Sequence, residues 1–211
     1  MHGNSREARQ LRERLAQAGA LAADSAAELH IVAPHPFAED VAALQARFTP
    51  CIMLRRPGWA AARGDNWHWV ASPQQAADWL AEHATGPVLV ALGNERLAPF
   101  YALTSTPLVI RSRKAPHPAQ PPLGEVIVDS GPFSEASEIA AFRKHGITTV
   151  VAHDAGGQGG WPKLAAARAL GLPVVLLRRP DWPAGTAFDD VATLWRHLRS
   201  TLGLDLPPYA P

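Results

Sequence analysis

The sequence predicts an α/β protein built on a doubly wound parallel sheet, and two observations carry that prediction. Short apolar runs alternate with segments of helical period along the 211 residues, and several of the runs end in turns rich in glycine and proline. Strands separated by helices pair in parallel, and the functional loops of such sheets gather at the carboxyl ends of the strands.

The elements follow in order. Ala8, Leu11, Leu15 and Ala18 recur at helical spacing, Asn4 can cap with Glu7 three residues on, and Gly19 ends the helix. Residues 29–33 form a short apolar strand that empties into Pro34-His35-Pro36. A helix through Val41, Leu44 and Phe48 precedes a strand at 51–54, a loop at 56–64 and a short strand at 67–70. A second series opens at Ser72-Pro73, where serine caps and proline occupies the first turn, with Ala76, Ala77 and Leu80 on the buried side. Further strands are expected at 87–92, 108–111, 125–128, 147–152 and 174–177. Helices are expected from Ser134 through Ile139 and Phe142 to Gly146, from Pro162 to Gly171, and over 191–202. The proline-rich stretch 113–122 reads as an exposed connection. This pattern divides the chain into a domain at residues 1–70 and another at 71–211.

Composition narrows the classes of function. Twenty Lys and Arg residues against nineteen Asp and Glu give a formal charge of +1, so no global field draws the protein to nucleic acid. Cys51 is the single cysteine and has no intramolecular partner, which fits a reducing compartment. Residues 1–14 are polar without an apolar segment, and no later run has the length of a membrane span. A cytoplasmic protein with no membrane and no nucleic-acid partner is the expectation.

Four turns follow strands and would share one edge of a parallel sheet: Pro34-His35-Pro36-Phe37, Gly93-Asn94-Glu95, Ser130-Gly131-Pro132-Phe133 and His153-Asp154-Ala155-Gly156-Gly157. Glycine lets backbone amides approach a phosphate or carboxylate, and the following helix adds its positive end. Each turn taken alone is better explained by tight-turn geometry. His35 reads either as a donor to a ligand or as the residue that holds its own loop. His153 and Asp154 are neighbours on an extended segment and point to opposite faces, so they are read as separate loop ligands rather than an acid/base dyad. Arg55-Arg56 and Arg178-Arg179, each following a strand and preceding proline, have the donor geometry to grip carboxylates, although a solvated pair at a strand end is the better explanation on the residues alone. The nine histidines lack two-histidine zinc spacing and one cysteine builds no thiolate site, so no metal is expected.

Taken in order, these loops resemble the precorrin-6A reductase family. Gly156-Gly157, then Lys163-Leu164-Ala165-Ala166-Ala167-Arg168-Ala169-Leu170-Gly171-Leu172-Pro173-Val174-Val175 and Arg178-Arg179-Pro180, are similar to its closing signature. His35-Pro36-Phe37-Ala38, Arg56-Pro57 with Trp59, Leu97-Ala98-Pro99-Phe100 and Gly131-Pro132-Phe133 resemble its earlier motifs. The resemblance implies two Rossmann-like doubly wound domains with a cleft between them, the amino-terminal one truncated. It also implies NADPH as hydride donor and a polycarboxylated corrin-pathway tetrapyrrole as substrate. On that reading Asn4, Ser5, His35, Pro36, Gly93 and Asn94 bind the cofactor. Gly131, Pro132, Phe133, His153, Asp154, Gly156, Gly157, Lys163, Arg178 and Arg179 bind the substrate, and His35 and His153 are the catalytic candidates.

The sequence departs from the family pattern in three places. The family opens with a strand and a Gly-Gly-Thr turn, whereas here Glu7-Ala8-Arg9 is preceded only by Met1-His2-Gly3-Asn4-Ser5. The segment before His35 is short for a further strand and crossover helix, and His153, Asp154 and Ala155 stand where the family commonly has lysine, asparagine and serine. An incomplete gene start would account for the first departure but not for the second. A non-catalytic tetrapyrrole-binding paralogue without the NADPH site is the alternative expectation. A sheet edge left open by a missing strand would favour a homodimer.

Overall fold

The structure, a computed structural model, describes residues 6–20, 29–38, 41–48, 50–117 and 119–209. Two compact units emerge, one from residues 1–57 with 180–211 and the other from residues 58–179.

Unit 1 is a three-stranded parallel sheet in the order β1 (His30–Val32), β2 (Cys51–Leu54) and β9 (Ala187–Phe188). Alternate residues of a strand face opposite sides, and the packing follows that rule. Ile31, Ala33, Ile52 and Leu54 join Ala8, Leu11 and Leu15 of α1 (Arg6–Gln17) and Val191, Leu194, Trp195 and Leu198 of α6 (Val191–Ser200) in one core. Val32 and Met53 face the other way onto Val41 of α2 (Val41–Arg47) and Trp182. Asp190 caps α6, its carboxylate accepting from the amide and hydroxyl of Thr193 at 2.7 Å each.

Unit 2 is a six-stranded, wholly parallel sheet ordered β3-β8-β7-β4-β5-β6. These strands are β3 (Asn66–Val70), β4 (Val88–Ala91), β5 (Leu108–Ser112), β6 (Gly124–Val128), β7 (Thr149–His153) and β8 (Pro173–Leu177). Leu89, Val109, Val150, Ala152, Val174 and Leu176 point to one face, where Phe142 of α4 (Glu135–Lys144) and Leu164, Ala166 and Ala167 of α5 (Trp161–Ala169) cover them. Helix α3 (Pro73–His83) packs against β3 and β8 and buries Ala76, Ala77 and Leu80. Ser72 and Ser134 cap α3 and α4 as the sequence predicts, and Ser134 shares a reciprocal capping box with Ser137. At the edge strand, Gly124 has φ +124° and a Cβ there would overlap the carbonyl of Leu108, so only glycine fits.

The division at residue 70 is not the one observed. Strand β3 pairs with β8 from Asn66↔Pro173 to Val70↔Leu177 and so belongs to unit 2. Residues 180–211 return to unit 1, where β9 pairs with Met53 and Leu54. A division drawn along the chain cannot register a carboxyl-terminal segment that supplies a strand and a helix to the first unit.

Candidate functional site

In unit 2 the chain runs outward from β4 through β5 to β6, then crosses back to place β7 on the other side of β4. The loops after β4 and β7 therefore flank the point where strand order reverses, which is where open parallel sheets bind ligands. The loop after β7 is the more elaborate. Gly156 and Gly157 have φ of +63° and +68°, a consecutive left-handed pair that side-chain-bearing residues rarely adopt. Helix α5 then begins at Gly160 with no side-chain cap, whereas α3, α4 and α6 each have one. Its first-turn amides are thus the donors of the loop that no capping side chain engages.

Lys163 lies in that first turn and donates from Nζ to the carbonyl of Gly160 at 3.0 Å. Burial, reinforced by the neighbouring charge of Arg111 and opposed by Glu138, lowers its pKa to about 8. Arg111, the penultimate residue of β5, forms a bidentate pair with Glu138 of α4, both bonds at 2.7 Å. The ring of Phe133 lies 4.2 Å from the Arg111 guanidinium. Gly131 and Pro132 are joined by a cis peptide, and the Gly131 amide donates to Asp129 Oδ1 at 3.1 Å. Phe133 and Lys163 thus share electrostatic surroundings set by Arg111 and Glu138.

The remaining expected residues of this unit occupy distinct environments. His153 is the last residue of β7, half-buried and in register with Leu177. Arg178 is exposed, with its guanidinium 5.2 Å from the ring of Trp69. Arg179 and Asp154 turn to each other, Nε to Oδ2 at 3.1 Å, with side chains 7% and 10% exposed. Asp154 also accepts from the amide of Trp59 at 2.9 Å. The aspartate that would oppose an anionic ligand is therefore offset inside the protein. Gly93 precedes a 3₁₀ turn at Asn94–Arg96. Both ends of the Asn94 carboxamide are engaged, Nδ2 by the carbonyls of Lys114 and Ala115 and Oδ1 by the hydroxyl of Ser112.

In unit 1, His35 Nδ1 accepts from the amide of Phe37 at 3.2 Å, so the neutral ring carries its proton on Nε2. Pro36 is buried beside it. Arg56 donates to both carboxylate oxygens of Glu7 at 3.1 Å, fastening the first turn of α1 to the carboxyl end of β2. Arg55 lies 5.1 Å from the ring of Trp182. Asn4 and Ser5 fall outside the described residues. Among the described residues no group of three or more His, Cys, Asp or Glu side chains could hold a metal ion, and no helix is long and apolar enough to cross a membrane.

A family model described as precorrin-6x reductase CbiJ/CobK matches residues 9–199. The chain belongs to this family. Within it, the chain is 37% identical over 166 residues to a precorrin-6A reductase of Rhodococcus erythropolis, covering 76% of this chain and 66% of that one. It is 36% identical over 160 residues to a precorrin-6A reductase of a Sinorhizobium species, covering 72% and 60%. A cobalt-precorrin-6A reductase of Priestia megaterium is 27% identical over 172 residues, covering 74% and 67%. The chain thus matches less than two thirds of the length of the first two relatives. A solved structure of CobK precorrin-6A reductase matches with a TM-score of 0.82 and 28% identity, over 99% of this chain and 98% of that chain.

Sequence reasoning missed Arg111, Glu138 and the bonding role of Trp59. Arg111 left a trace, as the charged residue that ends an apolar strand. Trp59 is visible as a motif residue, but its bond to Asp154 and the role of Glu138 left no trace, because the partners lie 95 and 27 residues away.

Proposed function

We propose that this protein is a cytoplasmic reductase of cobalamin biosynthesis, which uses NADPH to reduce a macrocycle double bond of precorrin-6A or its cobalt form. The observation that carries this reading is the likeness to a CobK precorrin-6A reductase over 99% of this chain.

The donor chemistry of unit 2 suits a substrate fringed with carboxylates. Lys163 and the first-turn amides of α5 supply fixed positive charge, and Arg178 adds an exposed guanidinium near the same strand ends. The glycines of the β7 loop admit a ligand close to the backbone. His153, at the end of β7, is the residue of this unit proposed to hold the proton that completes the reduction.

Unit 1 fits a dinucleotide in one structural respect. The Arg56–Glu7 pair keeps the amino end of α1 at the carboxyl edge of a parallel sheet, the placement that receives a diphosphate. Asn4, Ser5, His35 and Pro36 would hold the cofactor there, with His35 oriented by its bond to the Phe37 amide. When bound, NADPH supplies the hydride. Asn94 drops out of the proposed set because its carboxamide is committed to the 112–115 segment.

The test is calorimetric titration of the purified chain with NADPH, followed by an anaerobic assay with precorrin-6A. Micromolar binding and oxidation of one NADPH per macrocycle are expected. A folded sample that binds no NADPH up to millimolar concentration overturns the reductase reading, and retained tetrapyrrole binding would then identify a non-catalytic paralogue.

A further inference from the structure

The chain enters unit 2 at Gly58 and leaves it at Arg179, and both ends of that stretch meet one side chain. The amide of Trp59 donates to Asp154 Oδ1 at 2.9 Å. At the other end, Arg179 Nε lies 3.1 Å from Asp154 Oδ2 and donates to the Asp154 carbonyl at 2.8 Å. Gly58 stands against the same carboxylate, where a Cβ would overlap Oδ2. The two charged side chains are nearly excluded from water, so their attraction is little screened.

A second set of contacts continues from Trp59 into the glycine-rich loop. Its indole Nε1 donates to the carbonyl of Gly157 at 3.2 Å. Its ring fills the space beside Gly160, where a Cβ would lie 2.7 Å from Cη2. Residues 155–160 read Ala-Gly-Gly-Gln-Gly-Gly. Such a segment loses much conformational entropy on ordering and has almost no side chain with which to anchor itself. Its order must come from neighbours, and Asp154 at its entrance and Trp59 across it supply the contacts.

We propose that Asp154 is the positioning residue of the glycine-rich loop, forming with Trp59 and Arg179 a clasp that presents the loop and α5 amides to a carboxylate of the ligand. Asp154 and Arg179 then act through the loop and do not touch the ligand. The identity of that ligand as a tetrapyrrole carboxylate rests on the proposed reductase function, while the clasp itself does not. The aspartate is tolerated beside an anion-binding loop because Arg179 neutralises it from within.

The full-length chain and its Asp154→Ala, Asp154→Asn and Trp59→Phe variants test this by two readouts. The first is amide hydrogen exchange over residues 155–160 without ligand. The second is KM and kcat with precorrin-6A and NADPH. Asp154→Ala is expected to speed exchange in the loop roughly tenfold or more while exchange in α3 stays unchanged. It should raise KM for precorrin-6A about tenfold with kcat within twofold. Asp154→Asn keeps an acceptor for the Trp59 amide and should restore part of the protection. Trp59→Phe keeps the amide that bonds Asp154 but removes the indole donor and the part of the ring beside Gly160, so it should loosen the loop alone but add nothing in the Asp154→Ala background.

Unchanged loop exchange in Asp154→Ala overturns the clasp. So does a fall in kcat at constant KM, which would put Asp154 in the chemistry, or full additivity of the two substitutions. If Asp154→Ala does not fold, Asp154→Asn and Trp59→Phe decide the exchange test by the same criterion. A wild-type chain that does not turn over precorrin-6A sinks the proposed function and leaves the exchange comparison to judge the clasp.

Discussion

Arg111 and Glu138 meet as a two-pronged fork, Nη1 on Oε2 and Nη2 on Oε1, with Glu138 only 1% exposed and Arg111 9%. Removing one partner strands the other charge away from water, which costs more than the intact pair contributes. Glu138→Ala is therefore expected to lower unfolding stability by about 3–5 kcal/mol in urea titration. An Arg111→Met/Glu138→Leu double variant should recover most of that loss, because no charge is then left unpaired. A loss below about 1 kcal/mol in Glu138→Ala would place the pair with surface ion pairs and remove it as the determinant of this environment.

The pKa of Lys163 is lowered to about 8, by burial first and the charge of Arg111 second. Only Lys114, Lys144 and Lys163 carry ammonium groups on side chains, so ¹³C-dimethyl NMR gives a short assignment. One lysine signal should titrate near pH 8 and vanish in Lys163→Met. The sign for stability follows from linkage. Between the folded value near 8 and the unfolded value near 10.4 the unfolded chain holds more protons, so stability rises with pH through that interval. Below pH 8 the charged lysine is a cost to folding. Lys163→Met should consequently be no less stable than wild type at pH 7 while its affinity for a polycarboxylate falls. A lysine signal set that titrates wholly above pH 10 would contradict this.

Elements with local causes were legible in the sequence, and contacts between distant residues were not. Ser72 and Ser134 announce their helices because the donors they satisfy lie three residues away. The central strands β4, β5, β7 and β8 read as apolar runs because both faces of the sheet are covered there. Strand β9 has only two residues, Ala187 and Phe188, and exists through its pairing with β2. A strand looks the same in sequence whichever sheet it joins, which is why β3 was expected in the first domain. At the site, the sequence locates the glycine-rich loop and its charged neighbours but not their pairing. The charge of Asp154 is visible beside Gly156, whereas its neutralisation depends on Arg179, 25 residues later.

Asp65 illustrates the same point with a consequence for acid stability. It accepts from Arg168 Nε and Nη2 at 2.8 Å each and from the amide of Ala62 at 2.8 Å. Burial pushes its pKa up, but the Arg168 hydrogen bonds, the Ala62 amide and the Arg168 charge outweigh it and hold the carboxyl below the usual aspartate value. The pair's stabilisation is present above the unfolded pKa of 3.8 and lost as pH falls through the lower folded value. Asp65→Asn should cost about 1–3 kcal/mol at pH 7, and the gap from wild type should narrow as pH drops below 4. A constant gap from pH 7 to pH 2 in denaturant melts would show that the carboxylate charge is irrelevant.

Gly159 and Gly160 offer a matched pair of substitutions one residue apart. Neither has a positive φ, so alanine is acceptable to both backbones. A Cβ at Gly159 meets nothing within 4 Å, whereas one at Gly160 would lie 2.7 and 3.0 Å from the Trp59 ring. Gly159→Ala should be neutral or gain up to roughly 0.4–1 kcal/mol from reduced entropy of the unfolded chain. Gly160→Ala obtains the same unfolded-state gain but forces Trp59 aside, and overpacking of this kind costs about 1–3 kcal/mol. The loss should come with a shift of the Trp59 indole N–H resonance, because moving the ring breaks its bond to Gly157. Equal stability of the two variants with the Trp59 resonance unmoved would mean that the ring yields freely, and Trp59 would then be too loosely held to order the loop beneath it.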